Sequence, residues 1–129
     1  MKNTAALAFC VALAGSVLAA KADPVRALMS KDLAGTAGRE VAMVTVDYAP
    51  GASTPPHTHH AQAMLYVLEG SIVMQLKGAA PVTLTAGQTF YEGPDDVHVV
   101  SRNASQTARA RYVVFLVKDK GAPVLTPID

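Results

Sequence analysis

From Glu40 onward the chain is a succession of short apolar runs broken at regular intervals by glycine and proline. Val41, Met43 or Val44, Thr45, Val46 and Tyr48 form a β-branched run that stops at Pro50-Gly51, the pattern of a strand followed by a turn. Further runs are Met64 to Glu69, Ser71 to Lys77, Pro81 to Thr85, Gln88 to Glu92, Val97 to Arg102 and Arg109 to Lys118. Gly70, Gly78, Ala86-Gly87, Gly93-Pro94 and Asn103-Ala104 separate them, so at least seven strands fit into about eighty residues. No segment between them is long enough for a crossover helix, and the fold class expected is all-β, an antiparallel sandwich or barrel over residues 40–118. In the last run both faces become apolar toward the end, as in a strand that is central at one end and exposed at the other.

The flanks read differently. Residues 23–39 carry Leu28, Met29 and Leu33 at roughly helical spacing, interrupted by Gly35 and Gly38, an N-terminal arm with one short helical turn at most. Residues 119–129 contain Pro123 and Pro127 and no pairing pattern, and are expected as a surface arm. Residues 1–22 form a third kind of segment. Lys2 is followed by a nearly unbroken apolar run from Ala5 to Leu18, and Ala20 and Ala22 flank Lys21 at the two positions a signal peptidase reads. A secretory signal peptide cleaved after Ala22, with Ala20 as the second choice, is expected, and with it a periplasmic or secreted protein. The run is short for a membrane span, so no membrane association is expected after cleavage.

Cleavage removes Cys10, Lys2 and Lys21, leaving a cysteine-free domain with nine basic against ten acidic side chains. Disulfides and cysteine chemistry are excluded for that form, and a small domain must hold together by packing, aided by a metal or by dimerisation. The balanced charge lacks the basic excess that phosphate binding needs, so no nucleic-acid partner is expected.

Candidate chemistry lies in the histidines. His57, His59 and His60 fall within four consecutive positions, and His98 is the one outside the cluster. The pleat of a strand puts His57 and His59 on one face, where neutral imidazoles can converge on one ion, and His98, a polar residue in the apolar setting of Asp96 to Val100, is the natural third ligand. The plainer reading of His98 is a hydrogen-bonded core residue. His60 reads as a solvated strand-end residue.

These residues resemble the cupins, a family of small jelly-roll β-barrels (double-stranded β-helices) that carry a metal in the barrel mouth. The family's first motif is a glycine, five residues, His-x-His, three or four residues, a glutamate, six residues and a glycine. Here it runs Gly51, His57-Thr58-His59, Ala63, Gly70, with alanine at the glutamate position. The second motif is represented by Gly87, Gly93, Asp95, His98 and Arg102, of which the first glycine and the histidine match, while Pro94 and Asn103 sit one position from the expected proline and asparagine. Sixteen residues separate Gly70 from Gly87, and the resemblance spans about Glu40 to Lys118.

The resemblance implies one divalent transition metal (Fe, Mn, Zn, Ni or Cu) held by His57, His59 and His98, a small-molecule ligand, and a homodimer. Ala63 cannot coordinate. By parity His57, His59, Ala61 and Ala63 share a face, and Gln62 is the candidate fourth ligand only if residues 60–62 form an irregular turn. Leu65, Val67 and Val100 are expected as the apolar wall, and Glu92 and Tyr91 as the nearby candidates for a general base. Met43, Met64 and Met74 are read as core fillers, although methionine is also a soft copper ligand. Tyr66, Phe90, Tyr91, Tyr112 and Phe115 are read as packing residues, with Phe90 or Tyr91 near enough to line the pocket. Asp95-Asp96 reads as a turn or as acids beside His98, and Arg102, Arg109 and Arg111 as a solvated edge or an anion site.

Open coordination positions at a three-histidine centre suit an oxygenase-like enzyme acting on a small enol, phenol or thiol. The alternatives are an exported metal- or small-ligand-binding domain without turnover, and a structural barrel with a degenerate site. Metal loading outside the cytoplasm would expose the imidazoles to zinc and copper.

Overall fold

A computed structural model describes residues 24–129; the expected signal peptide, its cleavage site and Cys10 lie outside the described residues. The strands are β1 (Val25–Asp32), β2 (Arg39–Tyr48), β3 (Ser53–Thr54), β4 (His57–Thr58), β5 (Gln62–Glu69), β6 (Ser71–Leu76), β7 (Val82–Thr85), β8 (Thr89–Glu92), β9 (His98–Asn103), β10 (Ala110–Asp119) and β11 (Thr126–Pro127). No helix occurs among the described residues. One antiparallel sheet has the order β1-β2-β10-β5-β8 and the other β11-β4-β9-β6-β7, with β3 pairing β9. The protein is all-β, as its period-2 patterning and absent crossovers require.

Alternation builds the core. Along β2, Ala42, Val44, Val46 and Tyr48 are buried; along β5, Ala63, Leu65 and Val67; along β10, Ala110, Tyr112, Val114 and Leu116. These inner faces meet Ile72, Met74 and Leu84 of the second sheet. Burial of a side chain such as Leu116 contributes about 1.5–3 kcal/mol relative to exposure. The Tyr48 hydroxyl, inside the core, meets Ser101 Oγ at 2.8 Å and Thr54 Oγ1 at 2.5 Å, so its polar tip is satisfied. Between β5 and β6, Gly70 turns the chain at a φ of 72°. A Cβ there would land against the Arg109 carbonyl oxygen and the Ala110 Cα, which no other residue tolerates.

The flanking segments depart from expectation. Residues 25–32 are strand, not helical turn: β1 pairs along β2 from Val25↔Val46 to Asp32↔Glu40, with an irregularity between Ala27 and Met29. After Val25 its side chains are exposed, so backbone pairing forms this element without a buried face to mark it. The C-terminal segment is not a free surface arm either. Thr126↔Thr58 and Pro127↔His57 pair β11 with β4, and the buried Lys118 ammonium, ion-paired with Glu40, donates to Ala122 O at 2.6 Å. Met64, Tyr66, Tyr91 and Phe115 are exposed on the outside of the first sheet instead of packed; Met74 and Tyr112 are core residues as expected.

Candidate metal centre

His57 opens β4 directly after Pro55-Pro56 and is the cross-strand partner of His98 at the start of β9. The pairing brings their rings to 5.0 Å, and the His57 and His59 rings lie 4.8 Å apart. One ring nitrogen from each of His57, His59 and His98 lies within 4.8 Å of the others. The sequence expectation of convergence is met in the geometry. His60, at a φ of 47°, breaks the pleat between His59 and β5, turns outward and bonds Thr58 Oγ1 at 3.0 Å. The irregular turn that would let Gln62 reach the site therefore exists, but it delivers the opposite result: Gln62 is exposed, while Ala61 and Ala63 face inward. Gln62 is no ligand in this arrangement.

Backbone carbonyls fix the tautomers. His57 Nδ1 lies 2.8 Å from Pro55 O and His59 Nδ1 lies 2.6 Å from Val124 O. A carbonyl oxygen only accepts, so each Nδ1 carries a proton, and a neutral ring then turns its Nε2 lone pair inward. Those two Nε2 atoms are 3.2 Å apart, a contact that a proton or a metal ion between them relieves. Ligand atoms about 2.1 Å from one ion stand about 3.0–3.4 Å from their neighbours at octahedral or tetrahedral angles, so the His57–His59 spacing is that of two ligands of one ion. His98 is 2% exposed, and neither of its ring nitrogens has a hydrogen-bond partner. A buried, unsatisfied imidazole costs stability unless something occupies it. The donor set fits a divalent transition metal.

Glu92 stands beside the imidazoles. The strand β8 buries it while Tyr91 turns out to solvent, and its Oε2 lies 3.2 Å from His98 Nδ1 and 3.6 Å from His59 Nε2. Burial acts to raise the Glu92 carboxyl, but its close contact with the His98 ring outweighs this, with charge on the three imidazoles adding to the effect, and holds the group below its ordinary value. Burial lowers His57, outweighing the raising effect of the Pro55 carbonyl, so this ring is neutral and available as a ligand.

Around the centre the cavity is almost filled, with about 20 Å³ of free space, room for one water-sized occupant. Leu65 contributes to its wall as expected; Val67 and Val100 do not, and Val44, Val46, Met74, Tyr112 and Val114 complete it with Val25 and Leu125 at the mouth. Outside lies a pocket of about 340 Å³ between the two terminal segments, lined by Pro24, Val25, Ser53, Thr54, Pro55, Val124 and Leu125. Val25, Thr54 and Leu125 line both spaces. Phe90 lies against His98 at 6.2 Å between ring centres.

The remaining candidates take their plainer roles. Asp96 Oδ2 accepts from the Gly93 amide at 2.7 Å, closing the β8–β9 turn. Arg111 and Arg109 pair with Asp47 at 2.7 and 2.8 Å, and Arg102 donates to Asn103 O. What sequence reasoning missed are the Pro55 and Val124 carbonyls, which carry no side-chain signal; of the two expected neighbours, Glu92 stands beside the histidines and Tyr91 does not.

A family model for the cupin domain matches residues 44–116. A rhicadhesin receptor of Pisum sativum is 36% identical over 73 residues, covering 53% of this chain and 34% of that protein. A germin-like protein 1-1 of Oryza sativa subsp. japonica is 42% identical over 55 residues, 39% of this chain and 26% of that protein. The chain thus spans about a third or less of the curated relatives it matches. Among solved structures, oxalate oxidase in complex with the substrate analogue glycolate superposes with a TM-score of 0.63 at 25% identity, covering 84% of this chain and 57% of that one. A Klebsiella pneumoniae protein with a double-stranded β-helix domain superposes with a TM-score of 0.57 at 20% identity, covering 68% and 76%.

Proposed function

The chain belongs to the cupin family, and from that premise we propose that it is an exported single-domain metalloprotein, a dioxygenase-like oxidoreductase acting on a small enol, phenol or thiol. The observation that carries the metal site is the inward pair of Nε2 lone pairs at 3.2 Å beside the unpartnered ring of His98. A divalent metal held by His57, His59 and His98 would supply Lewis acidity and open positions for substrate and dioxygen. The chain's own part is to turn three imidazoles toward one point and to line the space beside them with apolar side chains, Val25 and Leu125 among them. The likeness to oxalate oxidase bound to glycolate supports a small, oxygen-bearing substrate.

The second reading, binding without turnover, is favoured by the inner cavity, whose free space of about 20 Å³ leaves little room for a substrate beside the histidines. Elemental analysis of the protein purified from the periplasm, followed by oxygen uptake with a panel of enols, phenols, thiols and small acids, separates the two. Dioxygen consumption supports the enzyme; metal-dependent stabilisation with no uptake across the panel supports the binding module; absence of metal refutes the enzyme and a metal-binding module. Export predicts a mature chain beginning at Asp23 by mass spectrometry, and an intact Met1 refutes it. Self-association as a homodimer is supported by the row Met29, Met43, Phe115, Met64 and Tyr91, which crosses all five strands of the first sheet. Four of its members are exposed, and a second copy related by a two-fold axis would cover both rows at once. Sedimentation at micromolar concentration showing monomer alone would count against it.

A further inference from the structure

We propose that Glu92 is the fourth ligand of the histidine centre, supplied from β8 across the strand pair to fill the place Ala63 leaves without a donor. The inference rests on the three-histidine reading and extends it to the carboxylate. Ala63 and Glu92 are direct cross-strand partners in the antiparallel β5–β8 pair. Directly opposed residues point to the same face with Cα atoms about 4.5–5.5 Å apart, and here both are buried on the inner face, 1% and 4% exposed. The methyl group of Ala63 leaves room that the longer Glu92 side chain uses.

Three observations point to coordination. Glu92 Oε2 lies 3.2 Å from His98 Nδ1 and 3.6 Å from His59 Nε2, close to the 3.2 Å between the Nε2 atoms of His57 and His59. Its oxygen therefore stands beside two of the three histidines, at or a little beyond the spacing that ligands of one ion adopt. Although 3.2 Å from His98 Nδ1, it does not lie along the nitrogen's hydrogen-bonding direction, so His98 remains without a hydrogen bond. Two ligands of one ion stand off each other's lone-pair axes in this way; a donor and its acceptor align. Charge completes the argument. A divalent ion among three neutral imidazoles would leave two positive charges in a buried site, and one carboxylate halves that excess while gaining the cation a buried anion needs.

The test uses Co2+ added to metal-stripped protein, with affinity measured by competition against a chromophoric chelator and the donor set read from the visible absorption of the bound ion. Glu92→Gln keeps the size of the side chain and removes its charge, Glu92→Ala removes the donor, and Ala63→Glu/Glu92→Ala moves the carboxylate to the facing strand. The expected result is that both single variants lose more than about a hundredfold in affinity, beyond the 10–100-fold that loss of an outer partner costs, with an altered spectrum. The double variant should recover to within about tenfold of the parent, since a carboxylate from either strand reaches the same ion. Loss in the single variants without recovery in the double variant would overturn ligation and assign Glu92 to positioning His98. If His98→Ala abolishes Co2+ binding while Glu92→Gln and Glu92→Ala leave affinity and spectrum unchanged, this inference fails and the three-histidine reading stands. If the parent itself binds no Co2+, the three-histidine reading fails and takes the inference with it.

Discussion

Aspartate at position 103 would differ from the native asparagine by the replacement of one amide nitrogen with oxygen, yet it should unfold far more readily. Asn103 ends β9 with 1% of its surface exposed. Its Nδ2 donates to Ala108 O at 2.8 Å and Ala49 O at 3.1 Å and leans on Tyr48 O at 3.4 Å, while its Oδ1 accepts from the Ser105 amide at 2.8 Å. One side chain thus joins the turn after β2 to the loop before β10. In Asn103→Asp the bond from Ser105 survives, but a second oxygen faces three carbonyls. Two well-formed bonds are lost at about 1 kcal/mol each, and acceptors left unsatisfied add about 1 kcal/mol or more, so the cost at neutral pH is about 3 kcal/mol. That corresponds to a fall in Tm of at least about 12 °C for a domain near 100 residues. The carbonyls and burial favour the protonated acid, so the new carboxyl has a raised pKa in the folded state. Its penalty is complete above that folded value and is relieved as pH falls from there toward the unfolded value of about 4. Urea unfolding followed by circular dichroism at pH 7.5 and pH 5, compared with the parent at each pH, measures the gap. A midpoint equal to the parent's at pH 7.5, or a gap that does not narrow at pH 5, would refute the reasoning.

Gly70→Ala should destabilise by about 3 kcal/mol or more, since it combines a left-handed backbone with a Cβ driven onto the Arg109 carbonyl; a urea midpoint within error of the parent would disprove this. Zn2+ at about 100 times its Kd should stabilise the metal-stripped parent by about 2.7 kcal/mol and His98→Ala by far less, read as a difference in Tm. Asp47→Asn should cost less than about 1 kcal/mol near neutrality, because the pair is solvent-screened. The hydrogen bond from Arg111 holds the Asp47 carboxyl low against the opposing effect of burial, with Arg109 assisting. Its contribution is therefore present above the ordinary carboxylate range and lost as pH falls through the depressed folded value, so the gap between parent and variant should close in acid, where paired denaturation curves check it.

Seven strands were legible because each buries one face and ends at a glycine, a proline or a polar turn: β2 stops before Pro50-Gly51, β5 turns at Gly70, and β7 ends ahead of Ala86-Gly87. Where burial is absent the signal disappears with it. The side chains of β1 beyond Val25 are exposed, so their polarity carries no period, and Leu28, Met29 and Leu33 match a helical spacing by accident. What makes β1 a strand is the row of backbone partners that β2 offers, and that belongs to β2's position in the sheet. The exposed Met64, Tyr66, Tyr91 and Phe115 show the converse. Alternation separates two faces, but when both are apolar it does not say which one meets the core.

The same distinction governs the metal centre. His57 and His59 are two residues apart, so local pleat geometry suffices to bring them together, and His98 stands out as the one histidine outside the cluster, polar in an apolar run and at its place in the second motif. The carboxylate has no such local relation to its vacancy. Ala63 and Glu92 meet because β8 pairs with β5 in one register, Ala63 opposite Glu92 and Leu65 opposite Phe90; a slip of one residue would send Glu92 to the outer face and leave the histidines without an acid. Reading the motif along the chain finds an empty position at Ala63, whereas reading across the strands finds a buried carboxylate directly opposite. An ion responds to where donors end up in space, so the strand that carries the carboxylate is free to change while the pairing register is kept. Selection on such a site would then act on the β5–β8 register as strongly as on the ligands, and a substitution that shifts that register should lower metal affinity with every donor still in place.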